Sequence, residues 1–146
     1  MHALHIFKVN AKNHDDAVNK IDNHLTNYAE ECEAAVDEEH PDGMYPGFDY
    51  FHIVGTINIK DDVCQHCIDE YTYHMDDRDI GWCVHFGSLD KLAKEYKLTV
   101  EQLKDNHTED ESAGDYGSPG CTCFLDYDRK GNPLKTTHIV LVDFHS

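Results

Sequence analysis

The first residues of the chain alternate side chains in the way that a β-strand requires. One set of alternate positions carries Ala3, His5, Phe7 and Val9, and the other carries Leu4, Ile6 and Lys8. Successive side chains of a strand point to opposite faces, so both faces of this segment are largely apolar. The pattern predicts a strand that lies inside a sheet.

A helical period replaces the alternation after Asn13. Apolar side chains then recur at three- and four-residue spacing, at Ala17, Ile21, Leu25, Tyr28, Cys32 and Ala35. Asn13 can act as an N-cap, and Asp15 and Asp16 suit the positive end of the helix dipole. The sequence therefore predicts an amphipathic helix that ends near Val36, before the polar run 37–43.

The rest of the chain predicts further strands and short helices. Residues from Phe48 to Ile59 are rich in aromatic and β-branched side chains, which are typical of a strand. The other predicted elements are a short helix over Val63–Met75, a strand over Gly81–Phe86, two short helices within Ser88–Asn106 with Thr99 capping the second, and strands over Cys123–Tyr127 and Thr136–Phe144. The order strand, helix, strand predicts a single α+β domain over residues 1–146: a ferredoxin-like sandwich with an inserted, metal-clipped segment and a short αα unit.

The charge of the chain limits the partners it can bind. The net charge is −17, from 29 acidic and 12 basic residues. Clustered Lys and Arg supply most of the affinity for phosphate backbones, so direct nucleic-acid binding is disfavoured. A basic protein surface is a more suitable partner.

The cellular location follows from what the sequence lacks. The first residues show no secretion signal, and no apolar run approaches the length of a membrane span. We expect a cytoplasmic protein that binds no membrane. In that compartment its cysteines are reduced, which favours metal binding or free thiols over disulfides.

Four of the six cysteines form two close pairs. Cys64 and Cys67 are separated by two residues, and Cys121 and Cys123 by one. Each pair can supply two ligands to a tetrahedral metal, so the spacing predicts a structural zinc that joins the middle of the chain to its C-terminal part. His66, His74 or Cys83 are possible replacements for one thiolate. Unrelated buried cysteines and disulfides are the alternatives.

Histidine and aspartate residues fall on two predicted strands. Asp49 and His52 lie near the start of one, and Asp143 and His145 share a face of the last. If these strands are neighbours, the four residues are candidates for a metal site or for acid–base chemistry. Lone strand histidines are more often ordinary surface or core residues. No known catalytic motif accompanies them, so a non-enzymatic protein is favoured.

Two segments resemble a family of small, uncharacterised bacteriophage proteins. Residues 48–55, FDYFHIVG, are similar to that family's Trp-Asp-Trp-Tyr-x-Ile-Gly-Gly-Arg-Trp motif, and residues 140–145, VLVDFH, to its final Val-Val-Asp-Cys-His strand. Thr56 and Ile57 stand where the family has Arg-Trp, and Phe144 replaces its Cys. The resemblance implies a phage origin and a compact α+β fold, and it transfers no activity.

These observations favour a phage-encoded accessory protein that binds and inhibits a host factor in the host cytoplasm. Its acidic runs form either a solvated surface or an imitation of nucleic acid. The alternative is a protein that captures a small nucleotide, such as a host defence signal, or a metal-dependent hydrolase that uses the strand His and Asp residues. A nucleotide site needs cations, for which Lys8, Lys12, Arg78, Arg129 and Lys130 are the candidates.

Overall fold

The fold is a mixed α/β arrangement of seven strands and three helices within the residues that the computed structural model describes, which are 2–67, 72–75, 78–81, 88–104, 120–121, 126–132 and 134–146. In chain order these elements are β1 (His2–Val9), α1 (His14–Ala34), β2 (Tyr50–Asn58), β3 (Val63–His66), β4 (Thr72–Met75), β5 (Arg78–Gly81), α2 (Leu89–Glu95), α3 (Val100–Lys104), β6 (Gly120–Cys121) and β7 (His138–His145).

The main sheet has the strand order β3-β2-β7-β1-β6, and β4 pairs with β5 in a separate hairpin. Strand β7 is antiparallel to both of its neighbours, β1 and β2. These two strands are therefore parallel to each other, and α1 connects them across β7 as in a split βαβ unit. Strand β3 is antiparallel to β2, and the short β6 is parallel to β1. The predicted mixture of helices and antiparallel strands is confirmed, whereas a ferredoxin-like sandwich is not.

Each face of the sheet carries its own hydrophobic core. Phe7, Val9, Val140 and Val142 pack on one face with α1, through Ala17, Ile21 and Leu25. Leu4, Ile6, Ile139 and Leu141 pack on the other face with α2 and α3, through Leu89, Leu92 and Leu103. This division explains why β1 carries apolar residues on both of its faces, because each face is covered by helices.

The capping residues predicted at the starts of two helices are confirmed. Asn13 accepts a hydrogen bond from the backbone N–H of Asp16 at 2.8 Å, so it caps α1 as predicted. At α3, the Thr99 hydroxyl accepts from the N–H of Gln102 at 3.1 Å, and the Gln102 side chain accepts from the N–H of Thr99. This reciprocal capping box sets the boundary between the two helices of the predicted αα unit.

The predicted helix over Val63–Met75 is wrong. Strands β3 and β4 occupy its two ends, and β3 forms a hairpin with β2. The Asn58 side chain accepts from the N–H of Lys60 at 2.9 Å, and Asp62 adopts a positive φ of 52°. These turn conformations return the chain along the edge of the sheet, and pairing with β2 there overrides the helical spacing.

Other predictions lie partly outside the described residues. Residues 82–86 of the predicted strand Gly81–Phe86 and residues 123–125 of the predicted strand Cys123–Tyr127 lie outside the described residues. The last strand is present, although it begins at His138 rather than Thr136. Over the described residues, no helix has the length and hydropathy needed to cross a membrane.

Buried His138 predicts a pH dependence of stability. Burial lowers the pKa of His138 from its ordinary value of 6.5, with a further lowering by His14 and an opposing effect of Asp16. As the pH falls below 6.5, His138 therefore becomes protonated in the unfolded chain before it does so in the folded chain. The contribution of His138 to the free energy of unfolding is full above pH 6.5 and is lost as the pH falls through the folded pKa. Urea unfolding at pH 7.5, 6.5 and 5.5 measures this decline.

The matched variants are His138→Gln and His52→Gln, since His52 is exposed. We expect a shallower decline with falling pH in the first variant and the wild-type decline in the second. Equal declines in both would contradict the role of His138.

Candidate functional site

The four catalytic candidates, Asp49, His52, Asp143 and His145, meet where β2 begins and β7 ends. His52 lies opposite Asp143 in the strand register, and Tyr50 lies opposite His145. The backbone N–H of Asp49 donates to the carbonyl of His145 at 2.6 Å, and the Asp49 Oδ2 lies 3.5 Å from the His145 Nδ1. The two strands are therefore neighbours, which is the condition for a shared site.

These side chains form a polar and aromatic group at the surface. The Tyr50 ring stacks on His145 with centroids 4.6 Å apart and an angle of 7° between the planes. The Tyr45 hydroxyl donates to the Asp49 Oδ1 at 2.9 Å. Partial desolvation, this hydrogen bond and the charge of Asp49 raise the pKa of Tyr45, so its hydroxyl stays protonated as a donor. Asp143, by contrast, is buried.

The group does not by itself form a metal centre. Within the described ranges, no cluster of three or more His, Cys, Asp or Glu side chains has a geometry that could hold a metal ion. Acid–base chemistry by Asp49, His52, Asp143 and His145 thus stays a hypothesis. The geometry that is present favours binding of a partner at the surface, since Asp49 and His52 are exposed together with Tyr45 and Tyr50.

The segment before β2 folds back onto the end of α1. The N–H of Met44 donates to the carbonyl of Cys32 at 2.7 Å. Gly43 has a φ of +88° and lies directly against the backbone of Glu33. A left-handed conformation in such close contact favours glycine, because other residues have a Cβ atom that would collide. The turn thus brings Tyr45 close to the C-terminal end of α1.

Negative charge is concentrated on this part of the molecule. Residues 21–59 contain nine carboxylates and no Lys or Arg. Eight of the carboxylates are exposed around the end of α1 and the following segment: Glu30, Glu31, Glu33, Asp37, Glu38, Glu39, Asp42 and Asp49. The last turn of α1 carries no basic residue, although a cation there would suit the helix dipole. The charge pattern therefore does not serve the stability of the helix.

Apolar side chains are exposed among these carboxylates. The exposed fractions are 61% for Val36, 47% for Met44, 62% for Tyr45 and 46% for Tyr50. We call the exposed surface of residues 33–50 the acid–tyrosine face. Sequence reasoning identified its carboxylates and Asp49, and it missed the two tyrosines, whose exposure depends on the backfolded segment.

The structure does not bring together all the predicted zinc ligands. Cys64 lies on β3 and Cys121 on β6, which are the opposite edges of the main sheet. Four strand spacings separate these edges, or about 19 Å. Cys123 lies outside the described residues, as do Cys83 and the side chain of His74. The four-thiolate zinc site stays a prediction.

Cys67 has a neighbour that the sequence did not suggest. Its Sγ lies 3.8 Å from the Nε2 of His14, and the His14 Nδ1 lies 2.6 Å from the Thr56 hydroxyl oxygen. Burial, reinforced by the charge of Asp15, raises the pKa of the Cys67 thiol. A protonated thiol is a poor nucleophile, so the pair is not organised for thiolate chemistry at neutral pH. His14 and Cys67 are far apart in sequence, and no local pattern predicts their contact.

Comparison with protein-family models, curated proteins and solved structures gave no match. The resemblance to bacteriophage proteins therefore stays an expectation from the sequence.

Proposed function

We propose that this protein binds a basic protein surface through the acid–tyrosine face. The observation that carries the proposal is the cation-free segment 21–59, in which residues 33–50 expose carboxylates together with Tyr45 and Tyr50. Following the sequence resemblance, the partner is a host factor in the cytoplasm, and the protein is a phage-encoded accessory protein that inhibits it.

The chemistry of the face suits arginine better than lysine. A guanidinium group can bind a carboxylate through two parallel hydrogen bonds and can also stack on a tyrosine ring. Tyr45 and Asp49 present both groups side by side, joined by their own hydrogen bond. Tyrosine is also among the residues that contribute most to protein interfaces. The face is therefore suited to an arginine-rich segment.

The proposal is tested with two synthetic peptides of equal length and charge, one rich in arginine and one rich in lysine. Isothermal titration calorimetry at three salt concentrations gives their dissociation constants. We expect tighter binding of the arginine peptide, and weaker binding of both peptides as salt rises. The Tyr45→Ala variant should bind the arginine peptide about five to thirty times more weakly, since such a contact contributes roughly 1–2 kcal/mol.

Matched charge variants separate the face from the overall charge. Glu38→Gln combined with Glu39→Gln removes two carboxylates of the face, and Asp22→Asn combined with Asp61→Asn removes two exposed carboxylates elsewhere. We expect a clear loss of peptide affinity only in the first pair. Equal losses in both pairs, or equal affinity for the two peptides, would show attraction to net charge and would overturn the proposal.

A more specific version of this proposal is that the protein imitates nucleic acid. The partner would then be a host protein whose basic groove normally holds a duplex. The carboxylates of the acid–tyrosine face would occupy the positions of phosphates in that groove. Once a partner is known, duplex DNA should compete with the protein for it, and failure to compete would limit the proposal to ordinary protein binding. A structural zinc is part of the proposal only as a support of the fold.

A further inference from the structure

A basic cleft lies at the opposite end of the sheet from the acid–tyrosine face. It forms where β1 and β2 end and β7 begins, and α3 contributes one wall. Its volume is about 560 Å³, which falls in the range of small-molecule sites. The cleft therefore has the size to hold a compact ligand.

The described lining of this cleft is positively charged, whereas the chain as a whole is negatively charged. Among the described residues, the lining includes Lys12, Lys60, Lys104 and Lys135, together with one carboxylate, that of Glu101. A third of the 12 basic residues of the chain thus meet in one cleft of a protein whose net charge is −17. None of the four ammonium groups forms an ion pair with a carboxylate among the described residues. Four lysines that form no ion pair within the described part of the chain, gathered in one cleft, attract a multiply charged anion.

A buried hydroxyl gives a second, independent indication of a ligand. Thr136 lines the cleft and is only 1% exposed, yet its Oγ1 has no hydrogen-bond partner within the described residues. Buried hydroxyls are nearly always hydrogen-bonded, so an orphan needs an explanation. An acceptor oxygen of a ligand in the cleft would satisfy it.

The walls of the cleft are held in place by contacts that do not use its lysines. The Thr137 hydroxyl oxygen accepts from the N–H of Ala11 at 2.8 Å, which fixes the start of β7 against the end of β1. On the other side, Lys8 Nζ donates to the carbonyl of Gln102 at 2.9 Å and holds α3 against β1. The cleft is therefore formed before a ligand binds.

The lining points to phosphate groups rather than to a nucleobase. No Phe, Tyr or Trp side chain from the described residues lines the cleft, so a stacking surface of the usual kind is not provided. The four lysines and one glutamate of the described lining leave an excess of three positive charges. Two or three linked phosphate groups carry about three to four negative charges, and ammonium groups are common ligands of phosphate.

We propose that this cleft binds the diphosphate or triphosphate group of a small ligand, with Lys12, Lys60, Lys104 and Lys135 as its cations and the Thr136 hydroxyl as a donor. Inorganic polyphosphates and nucleotides share this chemistry. The site is separate from the acid–tyrosine face and does not depend on the function proposed for it.

Calorimetric titration of the full chain, in a buffer without divalent cations, tests the proposal with six probes. These are orthophosphate, pyrophosphate, tripolyphosphate, adenosine, AMP and ATP. We expect tripolyphosphate and pyrophosphate to bind much more tightly than orthophosphate, ATP to bind about as tightly as tripolyphosphate, and adenosine not to bind. Binding of adenosine, or equal binding of AMP and ATP, would overturn the assignment to a phosphate chain. No heat or thermal shift with pyrophosphate at millimolar concentration would overturn the site itself.

Single lysine variants locate the binding. Lys104→Ala and Lys135→Ala should each raise the dissociation constant for pyrophosphate roughly tenfold or more, as expected for loss of a charge-assisted hydrogen bond. Lys91→Ala is the matched control, because Lys91 is exposed on α2 and does not line the cleft. If Lys91→Ala weakened binding as much as the cleft variants, the ligand would be responding to general positive charge, and the proposal would fail.

Thr136→Val separates a binding role from a structural one. Valine has nearly the shape of threonine and removes the orphan hydroxyl, so we expect the melting temperature without ligand to stay the same or rise. The same variant should weaken pyrophosphate binding several-fold and reduce the thermal shift that pyrophosphate produces. A variant with lower stability and unchanged pyrophosphate affinity would show that the hydroxyl serves the fold, and it would remove Thr136 from the site.

Discussion

Phe144→Ala is expected to cost about 3–5 kcal/mol of unfolding free energy, the usual range for removing a large aromatic side chain from a core. Phe144 is 1% exposed and lies in the central strand β7. Its ring centroid lies 5.0 Å from that of Phe48, 6.2 Å from that of Phe7 and 5.2 Å from that of His5. Because a typical domain has only about 5–15 kcal/mol of stability, this single change should leave a large unfolded fraction.

Phe51→Ala is the matched control for this prediction. Phe51 also contacts Phe144, with centroids 6.2 Å apart, but it is only partly buried. We expect it to cost about 1–2 kcal/mol, since less apolar surface returns to water. Urea unfolding with unchanged slopes measures both values. Equal costs would mean that the cluster around Phe144 does not anchor the sheet as its burial implies.

Phe144 also links the core to the acid–tyrosine face. It stands between Asp143 and His145, and the carbonyl of His145 accepts the hydrogen bond that fixes Asp49. Loss of order at the end of β7 should therefore reduce binding of an arginine-rich peptide as well as stability. The proposed function depends in this way on a residue that contributes nothing to the surface itself.

The elements that the sequence predicted correctly are those with local signals. The alternation in β1, the spacing of Ala17, Ile21 and Leu25 in α1, and the Thr99 cap all act within a few residues. Strand β3 was missed because its signal lies in a turn, at Asn58 and Asp62, and its pairing with β2 decides the conformation. Sheet order depends on contacts between distant segments, and a pattern in one segment does not specify them.

The candidate sites depend even more on contacts between distant segments, which the sequence does not show. The carboxylates of the acid–tyrosine face are consecutive enough to stand out in the sequence. The cleft lysines do not stand out in the sequence, because they lie in four separate segments that only the fold brings together: Lys12, Lys60, Lys104 and Lys135. Of the cations suggested for a nucleotide site, Lys12 lines the cleft, Lys8 supports its wall, and Arg129 and Lys130 lie in a turn that does not contribute to it. The side chain of Arg78 lies outside the described part of the structure.

Gly43→Ala is expected to cost about 3 kcal/mol and to displace the segment that carries Tyr45. The φ of +88° costs a residue with a Cβ atom about 1–2 kcal/mol. The added Cβ would also collide with the carbonyl oxygen of Glu33 and lie 2.9 Å from its carbonyl carbon and 3.0 Å from the Cys32 oxygen. These neighbours are helix backbone and cannot move cheaply, so overpacking adds roughly 1–3 kcal/mol.

Gly131→Ala measures the cost of the backbone strain without a clash, so that the clash at Gly43 can be obtained by difference. Gly131 has a similar φ of +83°, but an added Cβ would meet no atom of the described residues within 4 Å. We therefore expect a cost of about 1–2 kcal/mol there, from the left-handed conformation alone. Only Gly43→Ala should also weaken binding of the arginine-rich peptide, because it moves the acid–tyrosine face. If the two variants lost equal stability, the close contact between Gly43 and α1 would not hold the segment in place. If both kept full affinity for the peptide, the peptide would be bound by the charge of α1 and not by Tyr45 in the segment that folds back.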